Sequence, residues 1–343
     1  TMMMQDTKQN APIRVISLGK TDAVMTQAVY HAVAAAMTQD TPDTIILTQP
    51  ATPYLCIGYH QALEQILDLE ICKAKQIPIV RRKLGGGTTY LDENQIFYQC
   101  VFHQSRLPAR FEKIYAKLLS PPIEVLKNMG LDASLQGANE IEVSGKRIAG
   151  TGGGQLGEAS VVVGNILLDF DTAAMTAVWF APSTGFRRLA ENALSERLTT
   201  LKQLGIEASP SELCEKLTNA YSQSLGRPIA IGSLTSEEQA KAEAFCQTLA
   251  SDEFLALHEP EKKYRPLKIS ARAFIHHETL EIDGMSFSVA MKVTDGIISD
   301  AVIECPKKRF HRKLHQFLIG KPLKNWQSEL LLQEKEVLCN EEA

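Results

Sequence analysis

The sequence predicts an α+β protein in two parts: a larger N-terminal part that mixes strands and helices, and a small α+β module at the C-terminal end. Three observations carry this. Strand-like and helix-like runs interleave irregularly from Ile13 to Phe170. Turn dipeptides separate neighbouring strand-like runs, which marks hairpins. The pattern then changes after a charged, proline-bearing stretch over 252–266, read as a linker. A chain of 343 residues, 44% hydrophobic, can bury a large core and suits roughly two domains.

Taken in order, Ile13 to Ser17 alternates like a strand. Asp22 to Met37 carries Ala, Met and Val at helical spacing. Thr44 to Gln49 and Tyr54 to Gly58 read as short buried strands, Glu64 to Lys75 as a helix, and Ile77 to Val80 as another strand. That strand runs into Arg81-Arg82-Lys83-Leu84-Gly85-Gly86-Gly87. Thr89–Tyr90 and Ile96–His103 read as a hairpin turning at Asp92-Glu93-Asn94. Phe111 to Met129 is helical, with a break or cap expected at Pro121-Pro122. Glu140–Val143 and Lys146–Ala149 form a hairpin across Ser144-Gly145, followed by a glycine-rich loop from Gly150 to Gln155. Ser160 to Phe170 is a strand, and helical patterns dominate from Leu189 to Leu255. In the tail, Leu280–Ile282, Met285–Val293 and Ile297–Glu304 alternate like strands, with turns at Asp283-Gly284 and Asp295-Gly296. A helix follows from Phe310 to Ile319.

Composition excludes several classes. A net charge of -4 gives no general attraction to nucleic acid or to a membrane surface. No apolar run is long enough to span a bilayer. The seven cysteines are scattered, without a CxxC pair, so neither a disulfide framework nor a zinc site is expected. Thr1 to Gln5 lacks the basic and apolar segments of a secretion signal, and a reducing cytoplasm is the expected location. His311 and His315 sit at i,i+4 without an adjoining acid or third ligand, so zinc is not expected there either.

Two segments carry chemistry. In Arg81 to Tyr90, backbone amides of a glycine run approach anions closely, and arginines orient carboxylate or phosphate oxygens. In Asn139 to Gln155, a hairpin bearing Lys146-Arg147 leads into four glycines, and a cation beside amide-rich backbone suits developing negative charge. Each segment alone also fits an ordinary exposed turn. Neither is a Walker P-loop, because no GxxxxGK[ST] occurs, and glycines after a hairpin do not make a dinucleotide-binding turn.

Together the segments resemble the lipoate–protein ligase branch of the biotin and lipoate ligase superfamily. Arg81 to Asp92 is similar to the family's RRxxGGGxVxxD element, and Pro53 to Gln61 resembles its PxVxIGxxQ strand and turn. Asn139-Glu140-Ile141 resembles Asn-Asp-Ile, and Lys146-Arg147-Ile148-Ala149-Gly150 resembles Gly-Lys-Lys-Ile-Ala/Ser-Gly. Gly164 to Leu168 resembles the Gly-Thr-Leu-Leu strand, Ser195 to Leu201 the family's Ser-Val-x-x-Arg-Val-Thr-Asn-Leu stretch, and Gly284 to Gly320 an accessory domain. The resemblance implies a biotin/lipoate ligase-like catalytic domain over 1–255, with mixed or antiparallel sheets and flanking helices, and an accessory domain over 262–343. It implies activation of lipoate or octanoate with ATP and Mg²⁺ to acyl-AMP, then acyl transfer to a lysine of a lipoyl domain or lipoate-binding carrier protein. By motif position, Arg147 and Lys146 are the catalytic cations. Arg81, Arg82, Gly85, Gly86, Gly87, Thr88, Asn139, Ile148, Ala149, Gly150, Thr151 and Gly164 bind substrate or ATP, and Asn139 with Glu140 contacts Mg²⁺.

The chain departs from the pattern at four places. Arg147 stands where the family has its key lysine, and Lys146 lies one place earlier. Adjacent side chains on a strand point to opposite faces, so Lys146 replaces that lysine only across a bulge. Glu140 replaces an aspartate, Asn94-Gln95 replaces Gly-Asn, and Thr151-Gly152-Gly153-Gly154 replaces Ser-Ala-Gln. An ATP-independent octanoyltransferase is the enzymatic alternative. It needs a cysteine nucleophile, yet no cysteine occurs between Cys100 and Cys214, and Pro182-Ser183-Thr184-Gly185 has serine where one transferase branch has cysteine. A biotin ligase fits the double-arginine loop less well. A non-catalytic binder of lipoate or of a carrier domain is the remaining alternative, kept open by Arg147. The basic run Lys307-Lys308-Arg309, with Arg312 and Lys313, suits an acidic carrier.

Overall fold

The computed structural model describes residues 10–260, 265–282 and 284–330. In chain order its elements are β1 (Ile13–Thr21), α1 (Ala23–Ala36), β2 (Thr44–Pro50), β3 (Tyr54–Ile57), α2 (Leu63–Ile66), α3 (Leu69–Ala74), β4 (Ile79–Arg81), β5 (Thr89–Leu91), β6 (Gln95–His103) and α4 (Phe111–Asn128). There follow β7 (Ala133–Gln136), β8 (Glu140–Val143), β9 (Lys146–Leu156), β10 (Ala159–Leu167), α5 (Thr172–Val178), α6 (Thr184–Arg197), α7 (Pro210–Leu225), β11 (Ile229–Ile231), α8 (Ser236–Leu249) and α9 (Asp252–Leu255). The chain ends its described part with β12 (Leu267–Lys268), β13 (Ala273–Ile282), β14 (Met285–Thr294), β15 (Ile297–Glu304) and α10 (Arg309–Leu318). The fold is α+β. No helix among the described residues is long and apolar enough to cross a membrane.

Two compact units emerge. The first holds the described residues up to Ile66, Cys72–Phe170 and Leu198–Pro260; the second holds Leu67–Ile71, Asp171–Arg197 and the described residues beyond 260. Two internal segments therefore group with the C-terminal residues. Of the stretch 252–266, residues 252–255 are helical and 261–264 lie outside the described residues.

The first unit is built on an eight-stranded sheet in the order β11-β1-β2-β6-β10-β9-β8-β7. β1 is parallel to β11 and β2, and pairing is antiparallel from β2 onward. Every residue of β6 is buried, because helices cover both faces of the sheet. Strand alternation divides its side chains. Tyr98, Cys100 and Phe102 join Leu118 and Leu126 of α4 and Leu213, Leu217 and Tyr221 of α7. Phe97 and Val101 join Val29, Tyr30 and Val33 of α1 and Tyr54, Cys56 and Leu91 of a second, three-stranded sheet ordered β4-β3-β5.

Four expectations are corrected here. Thr89–Leu91 does not pair with β6 but with β3 in the small sheet, so the chain crosses between sheets where a hairpin was expected. Helix α4 runs unbroken through Pro121 and Pro122. Buried Ile114, Leu118, Ile123 and Leu126 hold it together across the missing N–H groups. The helix expected over Glu64 to Lys75 is two short helices, α2 and α3. The glycines from Gly150 to Gly154 are not a loop. They lie within β9 and pair residue by residue with β10, from Gly150 opposite Asn165 to Gly154 opposite Val161.

The second unit contains the antiparallel sheet β12-β13-β14-β15. Its core is Phe287, Val289, Met291 and Ile303 against Phe310, Leu314 and Leu318 of α10, with Trp326. Asp295 and Gly296 both have positive φ, as the expected hairpin turn requires. At the other expected turn Asp283 lies outside the described residues, and Gly284 has φ +74°.

Candidate active site

The site grows from the double-arginine segment at the end of β4. Arg81 is fully buried, and its guanidinium donates to five backbone carbonyls: Gly58 (3.1 Å), Tyr59 (2.8 Å), Gln61 (2.6 Å), Phe254 (2.8 Å) and Leu255 (2.8 Å). It staples the turn after β3 to α9, and each of these hydrogen bonds goes to protein backbone. Arg82 turns the other way. It donates to the carbonyls of Gly85 (2.9 Å) and Gly87 (2.7 Å), with Nη1 3.5 Å from Cys56 Sγ. The guanidinium draws the loop carbonyls inward. Among the described residues the N–H groups of Gly85, Gly86 and Gly87 meet no acceptor. Three successive amides without an acceptor are available to an anion.

Gly58 and Gly86 have to be glycine. A Cβ on Gly58 would lie 2.0 Å from the Gly86 carbonyl oxygen, and Gly86 itself has φ +102°. Gln61 ties the turn together, with its Oε1 accepting from Gly58 N–H (2.8 Å) and from the Thr88 hydroxyl (2.9 Å). Beneath the loop, His31 Nε2 accepts from Lys83 N–H (3.0 Å) and Nδ1 donates to the Gln27 carbonyl (2.6 Å). Burial pushes the imidazole down to about 4, so it stays neutral.

Behind the loop lies a cavity of about 70 Å³. Tyr30, Cys56, Leu84, Leu91, Phe97 and Val163 give it apolar walls, and Gln27, Arg82, Thr89, Gly150, Thr151, Gly152 and Asn165 complete the lining. Gln27 is locked by Tyr54 (2.9 Å) and Tyr30 (2.7 Å). Such walls suit a short acyl chain. The glycine strand supplies part of the lining. Gly150 makes room for the Asn165 amide, Gly154 for Leu84, and Gly153, on the other face, for the Tyr115 ring.

The β8–β9 hairpin brings the remaining candidates together. Arg147 Nη2 lies 2.9 Å from Glu140 Oε1. Asn139 lies beside the Tyr115 hydroxyl. Ile148 and Ala149 are buried, while Lys146 is exposed. Arg147 opposes Glu142 and Ala149 opposes Ile141, so a bulge at Ile148 interrupts the pairing. The bulge falls after Arg147, and Lys146 and Arg147 keep their ordinary alternation. Thr151 opposes Gly164, whose hydrogen faces the ring of Tyr98. Of the two residues expected at Mg²⁺, Glu140 is paired with Arg147 and Asn139 lies beside Tyr115. Among the described residues no group of three or more His, Cys, Asp or Glu side chains is placed to hold a metal.

Two residues of the cavity wall, Gln27 and Tyr30, give no signal in the sequence, because α1 reads only as a helix. Asn165 and Gln95 lie inside or beside recognised motifs without having been singled out as site residues.

Residues 22–222 match the profile of the lipoyl protein ligase A/B catalytic domain. The chain is 27% identical over 269 residues to octanoyltransferase LipM of Kyrpidia tusciae, covering 70% of this chain and 97% of that protein. Its fold superposes on a bipartite lipoate protein ligase from Thermoplasma acidophilum with a TM-score of 0.66 at 22% identity, covering 74% of this chain and 100% of the other. A lipoate-protein ligase A bound with ATP gives a TM-score of 0.60 at 21% identity, covering 73% and 100%.

Proposed function

The chain belongs to the lipoyl protein ligase A/B catalytic domain family, and from that premise we propose that this acyl-transfer enzyme is an ATP-dependent lipoate–protein ligase. It activates lipoate or octanoate as acyl-AMP and passes the acyl group to a lysine of a lipoyl domain or lipoate-binding carrier protein. Catalysis is assigned to residues 1–255 and an accessory role to residues 262–343.

The observation that carries this reading is the state of Cys56. It is the only cysteine in the wall of the described cavity, and burial pushes its thiol up despite Arg82. A nucleophile for a thioester pathway needs the opposite environment. The free amides of Gly85 to Gly87, by contrast, suit a phosphate.

In this reading the acyl chain lies in the cavity between Tyr30, Leu91, Phe97 and Val163. The carboxylate oxygen attacks the α-phosphorus of ATP, a P–O bond forms, and the bond to pyrophosphate breaks. The carrier lysine then attacks the acyl carbonyl as a free amine; the C–N bond forms, AMP leaves, and the amine loses its proton. Arg147 supplies positive charge near the reacting oxygens when it leaves Glu140. Arg81 acts as scaffold and Arg82 shapes the glycine loop. No step is assigned to a metal.

The similarity to LipM along 97% of that protein favours a second reading, carrier-to-carrier octanoyl transfer without ATP. One experiment separates them. Lipoate- or octanoate-dependent pyrophosphate release from ATP, followed by a mass increase on a lipoyl domain, supports the ligase. Transfer from octanoyl-acyl carrier protein without ATP, and no pyrophosphate with either acid, sinks it.

A further inference from the structure

The amide chain at the polar end of the cavity has a direction that the backbone imposes. The carbonyl of Tyr90 can only accept, and it receives Gln95 Nε2 at 2.7 Å. Gln95 must therefore turn its Oε1 away from Tyr90, toward Asn165. Asn165 must answer with its Nδ2, and this hydrogen bond is made. Asn165 is left with its Oδ1 on the cavity side, beside Gly150. A Cβ on Gly150 would lie 2.8 Å from that oxygen. Gln95 is fully buried and Asn165 is 8% exposed. Asn165 lines the cavity, and among the described residues its Oδ1 receives no hydrogen bond.

We infer that Asn165 selects a hydrogen-bond donor of the nucleotide. A fixed carbonyl acceptor at this position repels a carboxylate or phosphate oxygen and favours an O–H or N–H. The ionised acyl substrate carries no such donor, whereas the nucleotide offers ribose hydroxyls and the amino group of its base. The inference rests on the ligase reading. In it, Gly150 is glycine to leave space for the amide, and Gln95 is a positioning residue that holds the amide in one orientation.

The test is a set of ligand cycles on the full chain. ATP, 2′-deoxyATP, 3′-deoxyATP and purine riboside triphosphate are titrated by calorimetry into wild type and Asn165→Leu, and pyrophosphate release is measured with saturating octanoate. The expected result is that Asn165→Leu weakens ATP by about tenfold. One analogue then binds wild type as weakly as ATP binds the variant, and loses nothing further in the variant; that analogue names the donor. Gln95→Leu shifts the same analogue in the same direction. If all four nucleotides lose equally in Asn165→Leu, or lose nothing, the inference is overturned while the ligase reading stands. If wild type neither binds ATP nor releases pyrophosphate with any acid, both are overturned. Thermal melting checks folding, and Asn165→Ser replaces the leucine variant should that fail to fold.

Discussion

Arg147 Nη2 stands 2.9 Å from Glu140 Oε1 across the β8–β9 hairpin. The cation expected at the reacting carbonyl and the carboxylate expected at a metal thus neutralise each other. Their side chains are 27% and 35% exposed, so the pair is a weak one. An arriving anion can displace Glu140 at small cost, and the carboxylate holds the guanidinium in place until then.

Glu140→Gln should therefore leave the fold intact and loosen the hold on Arg147. The KM for ATP, read by acid-dependent pyrophosphate release, is expected to fall by about two- to fivefold. An increase in KM would assign Glu140 a direct part in binding.

Arg147→Ala should lower the rate of pyrophosphate release by about a hundredfold or more, the scale of removing a group that stabilises developing charge. Lys146→Ala should stay within about twofold, since Lys146 is exposed and the bulge lies beyond Arg147. Collapse in Lys146→Ala alone would reverse the two assignments.

Arg81→Lys should fold poorly. A lysine offers at most three donors without the planar fork, so at least two of the five carbonyls around Arg81 lose their partner. Each buried carbonyl left unmet costs about 1–3 kcal/mol. The melting temperature should fall by about 5–10 °C, measured by calorimetry or circular dichroism. An unchanged melting point would show that Arg81 has a different task.

Local turn chemistry is the part of this fold most legible in the sequence. Ser144-Gly145 and Asp295-Gly296 announce their hairpins, and all four residues have positive φ. The motif residues on β8, β9 and the glycine loop were also legible as candidates, because glycine and arginine in that order have few other uses. What depends on distant partners was not. Nothing local tells β5 to pair with β3 instead of β6. Nothing in Gly150 to Gly154 shows that Asn165, Leu84 and Tyr115 occupy the space of the missing side chains. Arginines beside glycines read as anion ligands, yet Arg81 and Arg82 spend their donors on carbonyls fixed only by the tertiary fold.

Cys56→Ala tests the choice between the two family chemistries. In the ligase reading the thiol is a wall atom, so acid-dependent pyrophosphate release should keep at least about half its rate, with a small loss from the void left behind. Complete loss of acyl transfer, together with a protein-bound octanoyl thioester in wild type, would move the chain to the transferase chemistry.

The pH dependence follows from His31. Burial, opposed by the bond to the Gln27 carbonyl and reinforced by Lys83 and Arg82, lowers its pKa from 6.5 to about 4. Between those values the unfolded chain binds a proton that the folded chain refuses. Stability from this group is therefore fully present above pH 6.5 and lost as the pH falls toward 4, by up to roughly 3 kcal/mol. The mechanical consequence is local, since a protonated Nε2 can no longer accept from Lys83 N–H, the first amide after Arg82. Urea melts at pH 7 and pH 5 should show the wild type losing more stability on acidification than His31→Gln does. Equal losses in the two proteins would remove His31 from the account and place the acid sensitivity elsewhere in the fold.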